Sequence, residues 1–297
     1  MRSRLSPSTA PPHPNQPILP KPLTHSFHLP PLQHLPLCHL SSHPPIRSLW
    51  VGSALPAAQA ACIRSFLRVG HVFELFCYGV PRNLPVGVIV RDAREYLPAD
   101  RVFAYGPAAG KSAGSLGAFS NLFRYMLLER EGGWWVDTDV FCLRPFPALA
   151  PGQIVVASER SKSGHTAAAT CVLGCGSPAA PLMRRCLDES LAHDPARLIF
   201  GQTGPKLFDR LLTTMGLRDA LAAQETFCPV NWTEHHRLLA SPAPTPDPVL
   251  PNSLAIHLWN EMWRLTGHPI PWPGPRGSLL RRLADLIAPI RRPRTSC

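Results

Sequence analysis

Hydrophobic and polar positions follow two periods along the middle of the chain, which predicts strands interleaved with helices. Short apolar runs bounded by Gly, Pro or polar residues predict strands at 48–52, 72–78, 86–90, 134–136, 153–158, 167–173 and 254–259. Apolar residues spaced three and four apart predict helices at 55–67, 178–192, 206–215 and 278–287, and one that ends at 132. Strands that alternate with helices are typical of an α/β layer with a mainly parallel sheet.

Two carboxylates follow the apolar run at 134–136. Gly132 and Gly133 end the helix that precedes this run, and Asp137 and Asp139 come directly after it. A strand alternates its side chains, so both carboxylates are expected to point to the same side. They would repel each other unless a positive charge lies between them, and hard cations prefer carboxylate and phosphate oxygens. The pattern predicts a site for a divalent cation bound to a diphosphate.

The charge of the chain is concentrated at its ends. The formal net charge is +11, of which residues 1–45 contribute +3 and residues 264–297 contribute +6. The middle has no basic stripe, which argues against nucleic-acid binding. The C-terminal helix carries Arg281 and Arg282 beside a row of leucines. This helix either makes peripheral contact with an anionic membrane or packs on the domain.

Composition divides the chain into three parts. Residues 1–45 hold 12 of the 36 Pro and 6 of the 13 His and have no apolar segment typical of a signal peptide, so we predict a disordered extension. Residues 46–290 are expected to form one domain, and 291–297 a basic tail. The nine Cys are odd in number and include no C-x-x-C pair. This favours buried thiols in a reducing, cytoplasmic setting, and no zinc site is expected at Cys171 and Cys175.

A longer pattern surrounds the two aspartates. It consists of Ser120-Asn121, Arg124-Tyr125, two glycines, an aromatic pair and Asp-x-Asp. Residues 120–146 thereby resemble the DXD signature of the Och1-like glycosyltransferases, a family related to the α-1,4-galactosyltransferases and the large clostridial glucosylating toxins. Weaker matches extend the resemblance over most of 46–270. The family has Asp where this chain has Asn121, which keeps hydrogen-bonding capacity but lacks the charge.

The resemblance implies a GT-A-like nucleotide-sugar-binding domain, α/β with a mainly parallel mixed sheet flanked by helices. It implies a UDP-sugar donor and a divalent cation, Mn²⁺ or Mg²⁺. The sugar is expected to be transferred with retention to a glycan, lipid-linked or protein acceptor in polysaccharide biosynthesis. A lipid-linked acceptor would place the enzyme at the inner face of a membrane. If the matching positions have the roles that they have in the family, the catalytic residues are Asp137, Asp139 and Arg124. Donor binding is assigned to Trp50, Asn121, Arg124, Asp137, Gln202, Gly204 and Trp263, and metal binding to Asp139, Asp137 and His257.

The resemblance also implies individual roles. Asp139 binds the metal directly, Asp137 contacts the ribose and the donor sugar, and Arg124 contacts sugar hydroxyls or orients Asp137. Trp50 corresponds to an aromatic residue that stacks on uracil. The ordinary alternatives are core positions for Trp50 and His257, and a plain turn before a helix for residues 202–205.

Other classes of function remain open. A nucleotide-sugar or glycan-binding protein that lost catalysis is motivated by Asn121 and by Met262, where the family has Ser. A phosphatase of the haloacid dehalogenase type also uses Asp-x-Asp, but the later aspartates here are scattered and form no pair. A glycosidase is disfavoured, because Asp137 and Asp139 are too close in sequence to flank a glycosidic bond.

Overall fold

The computed structural model describes residues 43–241 and 252–288. The strands in these ranges are β1 (Ile46–Trp50), β2 (Phe73–Cys77), β3 (Ile89–Asp92), β4 (Gly133–Val136), β5 (Val140–Cys142), β6 (Ile154–Arg160), β7 (Thr166–Cys175) and β8 (Ala255–His257). The α-helices are α1 (Ala57–Arg68), α2 (Gly117–Glu131), α3 (Pro181–Leu191), α4 (Pro205–Thr214), α5 (Gln224–Phe227), α6 (Asn260–Leu265) and α7 (Leu279–Leu286). Nearly all of the extension predicted at 1–45, and the tail predicted at 291–297, lie outside the described residues.

Six strands form one mixed sheet in the order β3-β2-β1-β4-β7-β6. The first four strands are parallel to one another, whereas β7 is antiparallel to both β4 and β6. Strands β5 and β8 form a separate antiparallel pair. The α/β class with a mainly parallel mixed sheet flanked by helices, predicted from the sequence, is therefore confirmed.

Alternating side chains of β4 divide the core between the two faces of the sheet. Trp135 packs with the apolar stripe of α2, including Phe123, and with residues of α3 and α4. Trp134 packs on the opposite face with Phe66 of α1 and with Phe146, whose ring centroid lies 5.0 Å from its own. Both tryptophans are 1% exposed. Burial on both faces explains why this strand is an uninterrupted apolar run.

Two predicted strands differ from the observed ones for reasons of backbone geometry. Strand β3 begins at Ile89 instead of residue 86, because Gly87 has a φ of +95° in a turn and Val86 is 98% exposed. Strand β8 ends at His257 instead of residue 259, because Trp259 has a φ of +58° and precedes α6. The other predicted strands and helices are confirmed with small shifts of their ends.

The amphipathic helix α7 packs on the domain. Leu279, Leu280 and Leu283 are all buried in one apolar cluster with Trp263. Contact of this helix with a membrane stays a prediction. Within residues 43–241 and 252–288, no helix combines the length and the apolar character that crossing a bilayer would require.

Candidate functional site

Asp137 and Asp139 lie in a tight turn between β4 and β5. The N–H of Asp137 donates to the carbonyl of Cys171 at 2.8 Å, and the N–H of Val140 donates to the carbonyl of Asp137 at 3.0 Å. The reason given for the orientation of the two carboxylates, alternation of side chains along a strand, was therefore wrong, because both residues follow the end of β4. The turn brings them together, and each offers an oxygen within 4.8 Å of the other and of a ring nitrogen of His257.

Arg124 and Trp135 fix the carboxylate of Asp137. The guanidinium Nη2 and the indole Nε1 each lie 2.9 Å from its Oδ1. Arg124 is 3% exposed, stacks over the Trp135 ring at 5.1 Å, and also donates to the carbonyls of Ser120 and Thr170. Burial raises the pKa of Asp137 and the neighbouring Asp139 adds to this, while Arg124 opposes it. Helix α2 thus fixes one of the two carboxylates through a buried ion pair.

His257 and the start of α6 fix the carboxylate of Asp139. The imidazole Nε2 lies 3.1 Å from its Oδ2, and the N–H of Asn260 donates to the same oxygen at 2.7 Å. Burial acts to raise the pKa of Asp139, but the charge and hydrogen bond of His257 and the bond from Asn260 hold it below its ordinary value. Burial alone would lower the pKa of His257, yet the adjacent Cys171 and Asp139 raise it well above its ordinary value. Pairing of β5 with β8 brings His257 opposite Val140, next to the turn.

The donor set around this turn fits a divalent cation. Arg124 and Trp135 use one oxygen of Asp137, and His257 and Asn260 use one oxygen of Asp139, so these contacts leave the second oxygen of each carboxylate unused. Among the residues that the structure describes, the buried Nδ1 of His257 has no hydrogen-bond partner. Carboxylate oxygens suit Mg²⁺ and Mn²⁺, and imidazole suits transition metals.

A second group of possible metal ligands shares His257. Cys171 of β7 and Cys228 lie with their sulfurs 3.6 Å apart, and both are within 4.8 Å of a ring nitrogen of His257. The spacing of the cysteines along the sequence predicts no such partners for Cys171. They are distant in sequence, and the fold brings them to one face of β7.

A cavity of about 700 Å³ opens beside the turn. Of the residues predicted to form the site, it is lined by Trp50, Asn121, Arg124, Asp137, Asp139 and His257. Two of its walls carry unpartnered polar groups, since the buried Nε1 of Trp50 and Oγ of Ser48 have no hydrogen-bond partner among the described residues.

Three residues predicted to bind the donor lie outside the cavity lining. Trp263 is 8% exposed and donates its indole N–H to the carbonyl of Leu258 at 2.9 Å. Gln202 contacts His193 and the N–H of Ile199. Gly204 packs so closely against Asn121 that a Cβ there would lie 2.7 Å from the side-chain Nδ2. Direct donor contacts of these three residues stay predictions, whereas the geometry shows that residues 203 and 204 position Asn121.

Sequence reasoning missed several polar residues of the cavity. The most informative is Glu159, because the predicted strand ended at Ser158 while β6 continues to Arg160. Burial raises the pKa of Glu159 to about 7, with His257 opposing the shift. Lys206 and Asp209 of α4, Trp232 and Glu261 also line the cavity. An acidic residue at the end of an otherwise apolar strand is the only signal in the sequence that could have found Glu159.

Comparisons with known proteins bear on the segment around the turn. Residues 111–156 match the model of the family described as the glycosyltransferase sugar-binding region containing the DXD motif. No curated protein sequence matches the chain.

Solved structures similar to the chain include three transferases or toxins of low identity. The PaToxG glycosyltransferase is 16% identical, with 58% of this chain and 69% of that one covered and a TM-score of 0.42. A structure described as a transferase is 14% identical, with 60% of this chain and 84% of that one covered and a TM-score of 0.34. The catalytic domain of the alpha-toxin from Clostridium novyi is 7% identical, with 49% and 57% covered and a TM-score of 0.32.

The matched segment includes α2, β4 and the turn, and thereby Arg124, Asp137 and Asp139. Membership of the narrower Och1-like group stays a prediction. Residues 111–156 are similar to the glycosyltransferase sugar-binding region that contains the DXD motif, in agreement with the resemblance predicted from the sequence.

Proposed function

We propose that the protein is a metal-dependent glycosyltransferase that moves a sugar from a nucleotide-sugar, with a UDP-sugar as the expected donor, to a hydroxyl acceptor. The observation that carries the proposal is the convergence of Asp137, Asp139 and His257 on one cavity. The cavity has the size typical of small-ligand sites, roughly 300–1,000 Å³. The family description of residues 111–156 supports the transfer of a sugar.

The topology of the sheet supports a nucleotide at this position. The chain builds β2 and β3 on one side of β1 and then places β4 on the other side, so the strand order reverses between β1 and β4. Ligands of open α/β sheets bind outside the carboxyl ends of the strands at such a switch point. Trp50 ends β1, and Asp137 follows the end of β4. The predicted uracil-stacking residue and the predicted metal site therefore lie at the ends of adjacent strands.

The residues have distinct roles in this proposal. Asp137, Asp139 and His257 would hold Mn²⁺ or Mg²⁺, which supplies positive charge for a departing diphosphate. Arg124 is a positioning residue, because its buried ion pair with Asp137 sets the orientation of that carboxylate. Trp50 offers the face of a half-buried ring to the base. Lys206 at the rim adds a positive charge near the phosphates.

The finer features of the proposal rest on the resemblance. They are retention at the anomeric carbon, a hexosyl donor, and a role in polysaccharide biosynthesis; the cytoplasmic setting rests instead on the unpaired cysteines, and the membrane contact on the basic C-terminal helix. Proton NMR of a fresh product would reveal the anomeric configuration and so test retention.

The direct test is release of UDP from a panel of UDP-sugars in MnCl₂ or EDTA. We expect turnover with Mn²⁺, none in EDTA, and loss of turnover in Asp139→Asn. Asp219→Asn is the matched control, because Asp219 is exposed and lies outside the cavity. Equal activity of the wild type and Asp139→Asn, with both folded by circular dichroism, would refute the metal role.

A nucleotide-sugar-binding protein without catalysis is the second candidate. Asn121 favours it, since this neutral side chain lines the cavity and contacts Thr203 Oγ1 at 3.4 Å, where the family has an acid. Metal-dependent UDP binding with no turnover of any donor would support this candidate. A phosphatase would instead require a covalent phosphate on Asp137.

A further inference from the structure

Five carboxylates line the cavity, and one of them differs from the rest. Four are paired: Asp137 with Arg124, Asp139 with His257, Asp209 with Arg218, and Glu261 with Arg264. The fifth, Glu159, receives no hydrogen bond or ion pair from any residue that the structure describes, although its side chain is half-buried in the cavity wall. Burial of an unpaired carboxylate is costly, so such a group is more typical of a functional site than of a structural one.

Glu159 and Trp50 lie on opposite sides of the proposed metal site. In the sheet, β1 ends at Trp50, β4 leads to Asp137, and β6 carries Glu159 two strands further on. Neighbouring strands are about 4.8 Å apart, so β6 lies roughly 10 Å to the side of β4. Glu159 also lies further along the strand direction than Asp137, because it pairs with Ala167 whereas Asp137 hydrogen-bonds to Cys171. Pairing of β6 with β7 continues past the end of β4, and Glu159 is opposite Ala167, which also lines the cavity. A nucleotide over Trp50 would therefore place its sugar toward Glu159.

Trp232 forms the cavity wall beside Glu159. Its indole N–H donates to the carbonyl of Arg160 at 2.9 Å, and the ammonium of Lys162 lies 5.9 Å from its ring centroid. Asn231 holds the same segment, since its Oδ1 accepts from the N–H of Arg160 at 3.0 Å. Indole rings held in this way offer a rigid apolar face, which suits the C–H face of a sugar ring.

A second cavity of about 520 Å³ adjoins this wall. Its lining is polar and includes Arg160, Lys162, Gln224, Asn231, Thr233 and Glu234. Arg160 and Asn231 directly adjoin Glu159 and Trp232 in the sequence, so the two cavities share one wall. Amide, hydroxyl and charged groups in this arrangement suit a hydroxyl-rich chain that extends away from the reaction centre.

We propose that Glu159 and Trp232 form the acceptor side of the site, and that the acceptor is a carbohydrate. Glu159 accepts the proton of the attacking hydroxyl, and Trp232 stacks on the acceptor sugar. This inference rests on the proposed transferase function. The acceptor oxygen bonds to the anomeric carbon from the face that the diphosphate leaves, as the bond from that carbon to the diphosphate oxygen breaks, which keeps the configuration of that carbon. The diphosphate keeps the bonding electron pair, and the hydroxyl proton passes to the Glu159 carboxylate and then to solvent.

Acid–base chemistry at Glu159 fits its surroundings. A catalytic base works best when its pKa is close to the operating pH, and burial raises the pKa of Glu159 to about 7. A merely structural glutamate in this cavity would be expected to have a partner, as the other four carboxylates do.

Glu159→Gln tests the base while keeping the shape of the side chain. We expect the rate of UDP release from the best UDP-sugar in MnCl₂ to fall by roughly 10²–10⁴-fold, with unchanged affinity for UDP by calorimetry. Glu95→Gln is the control, because Glu95 is 57% exposed and lines neither cavity. Equal rates in Glu159→Gln and wild type, a wild type that binds UDP without any turnover, or a covalent glycosyl group on Glu159 would each overturn the assignment.

Trp232→Ala tests the acceptor subsite with a panel of methyl hexopyranosides as probes. We expect KM for the best glycoside to rise by about tenfold with kcat nearly unchanged, the signature of lost binding that does not depend on the transition state. An unchanged KM, or turnover that no glycoside accelerates, would overturn a carbohydrate site at Trp232. Failure of the proposed function is distinguishable, since the wild type would then bind neither UDP nor Mn²⁺.

Discussion

Replacing Glu159 with Gln is predicted to stabilise the protein in a pH-dependent way. The pKa of Glu159 is about 7 in the folded chain, against an ordinary value of 4.5, and burial is the main cause. The folded protein therefore binds more protons than the unfolded chain between these two values, so this group makes stability fall as the pH rises from 4.5 to 7. The difference corresponds to up to about 3 kcal/mol above pH 7.

The neutral amide of the Gln variant has no such ionisation. We expect equal stability of variant and wild type near pH 4.5, and at pH 8 a variant more stable by up to about 3 kcal/mol, or roughly 5–10 °C in Tm for a domain of this size. The other charged groups and the histidine that line the cavity are common to both proteins: Arg124, Asp137, Asp139, Lys206, Asp209, His257, Glu261 and Arg264.

Thermal and urea unfolding at closely spaced pH values would measure this difference. Parallel stability curves for wild type and Glu159→Gln between pH 4.5 and 8 would refute the reasoning, because the carboxyl group would then ionise at its ordinary pKa. If Glu159→Gln loses turnover and gains stability at pH 8, Glu159 lowers the free energy of unfolding of the wild type and is present for function.

Three further variants or probes test other parts of the structure. Arg124→Ala leaves the half-buried carboxylate of Asp137 without its ion-pair partner and should cost about 1–3 kcal/mol in urea unfolding, whereas an unchanged stability would contradict a structural role for this pair. Gly176→Ala should destabilise by at least about 1–3 kcal/mol, because its Cβ would lie 1.9 Å from a backbone oxygen, while Gly79→Ala, with open space around it, serves as a neutral control. The thiol of Cys171 should resist iodoacetamide at pH 8 until urea unfolds the chain, since burial raises its pKa well above the ordinary value; rapid alkylation of the native protein, read by mass spectrometry, would contradict this.

Local sequence signals were sufficient where packing follows directly from periodicity. The stripe of α2 and the apolar run of β4 both predicted their elements, because each buries a complete side of regular secondary structure. Gly132 ends the helix with a φ of +63°, a conformation that glycine adopts without strain. The position of Asp137 after the strand was equally readable, because it depends on chain order alone.

Features that arise where segments distant in sequence come into contact could not be predicted from the sequence. Cys171, Cys228 and His257 converge through the packing of different elements, and the sequence separation of these residues conceals it. The turn at 137–140 was also missed, since alternation along a strand does not show where the strand ends. Glu159 is a further example, because it lines the cavity together with residues that are distant from it in sequence.

Calorimetric titration of UDP into the protein tests the central claim most directly. We predict binding in MnCl₂ that disappears in EDTA and in Asp139→Asn, and that persists in Asp219→Asn. UDP binding of equal strength with Mn²⁺, with EDTA and in Asp139→Asn would contradict a metal site formed by Asp137, Asp139 and His257.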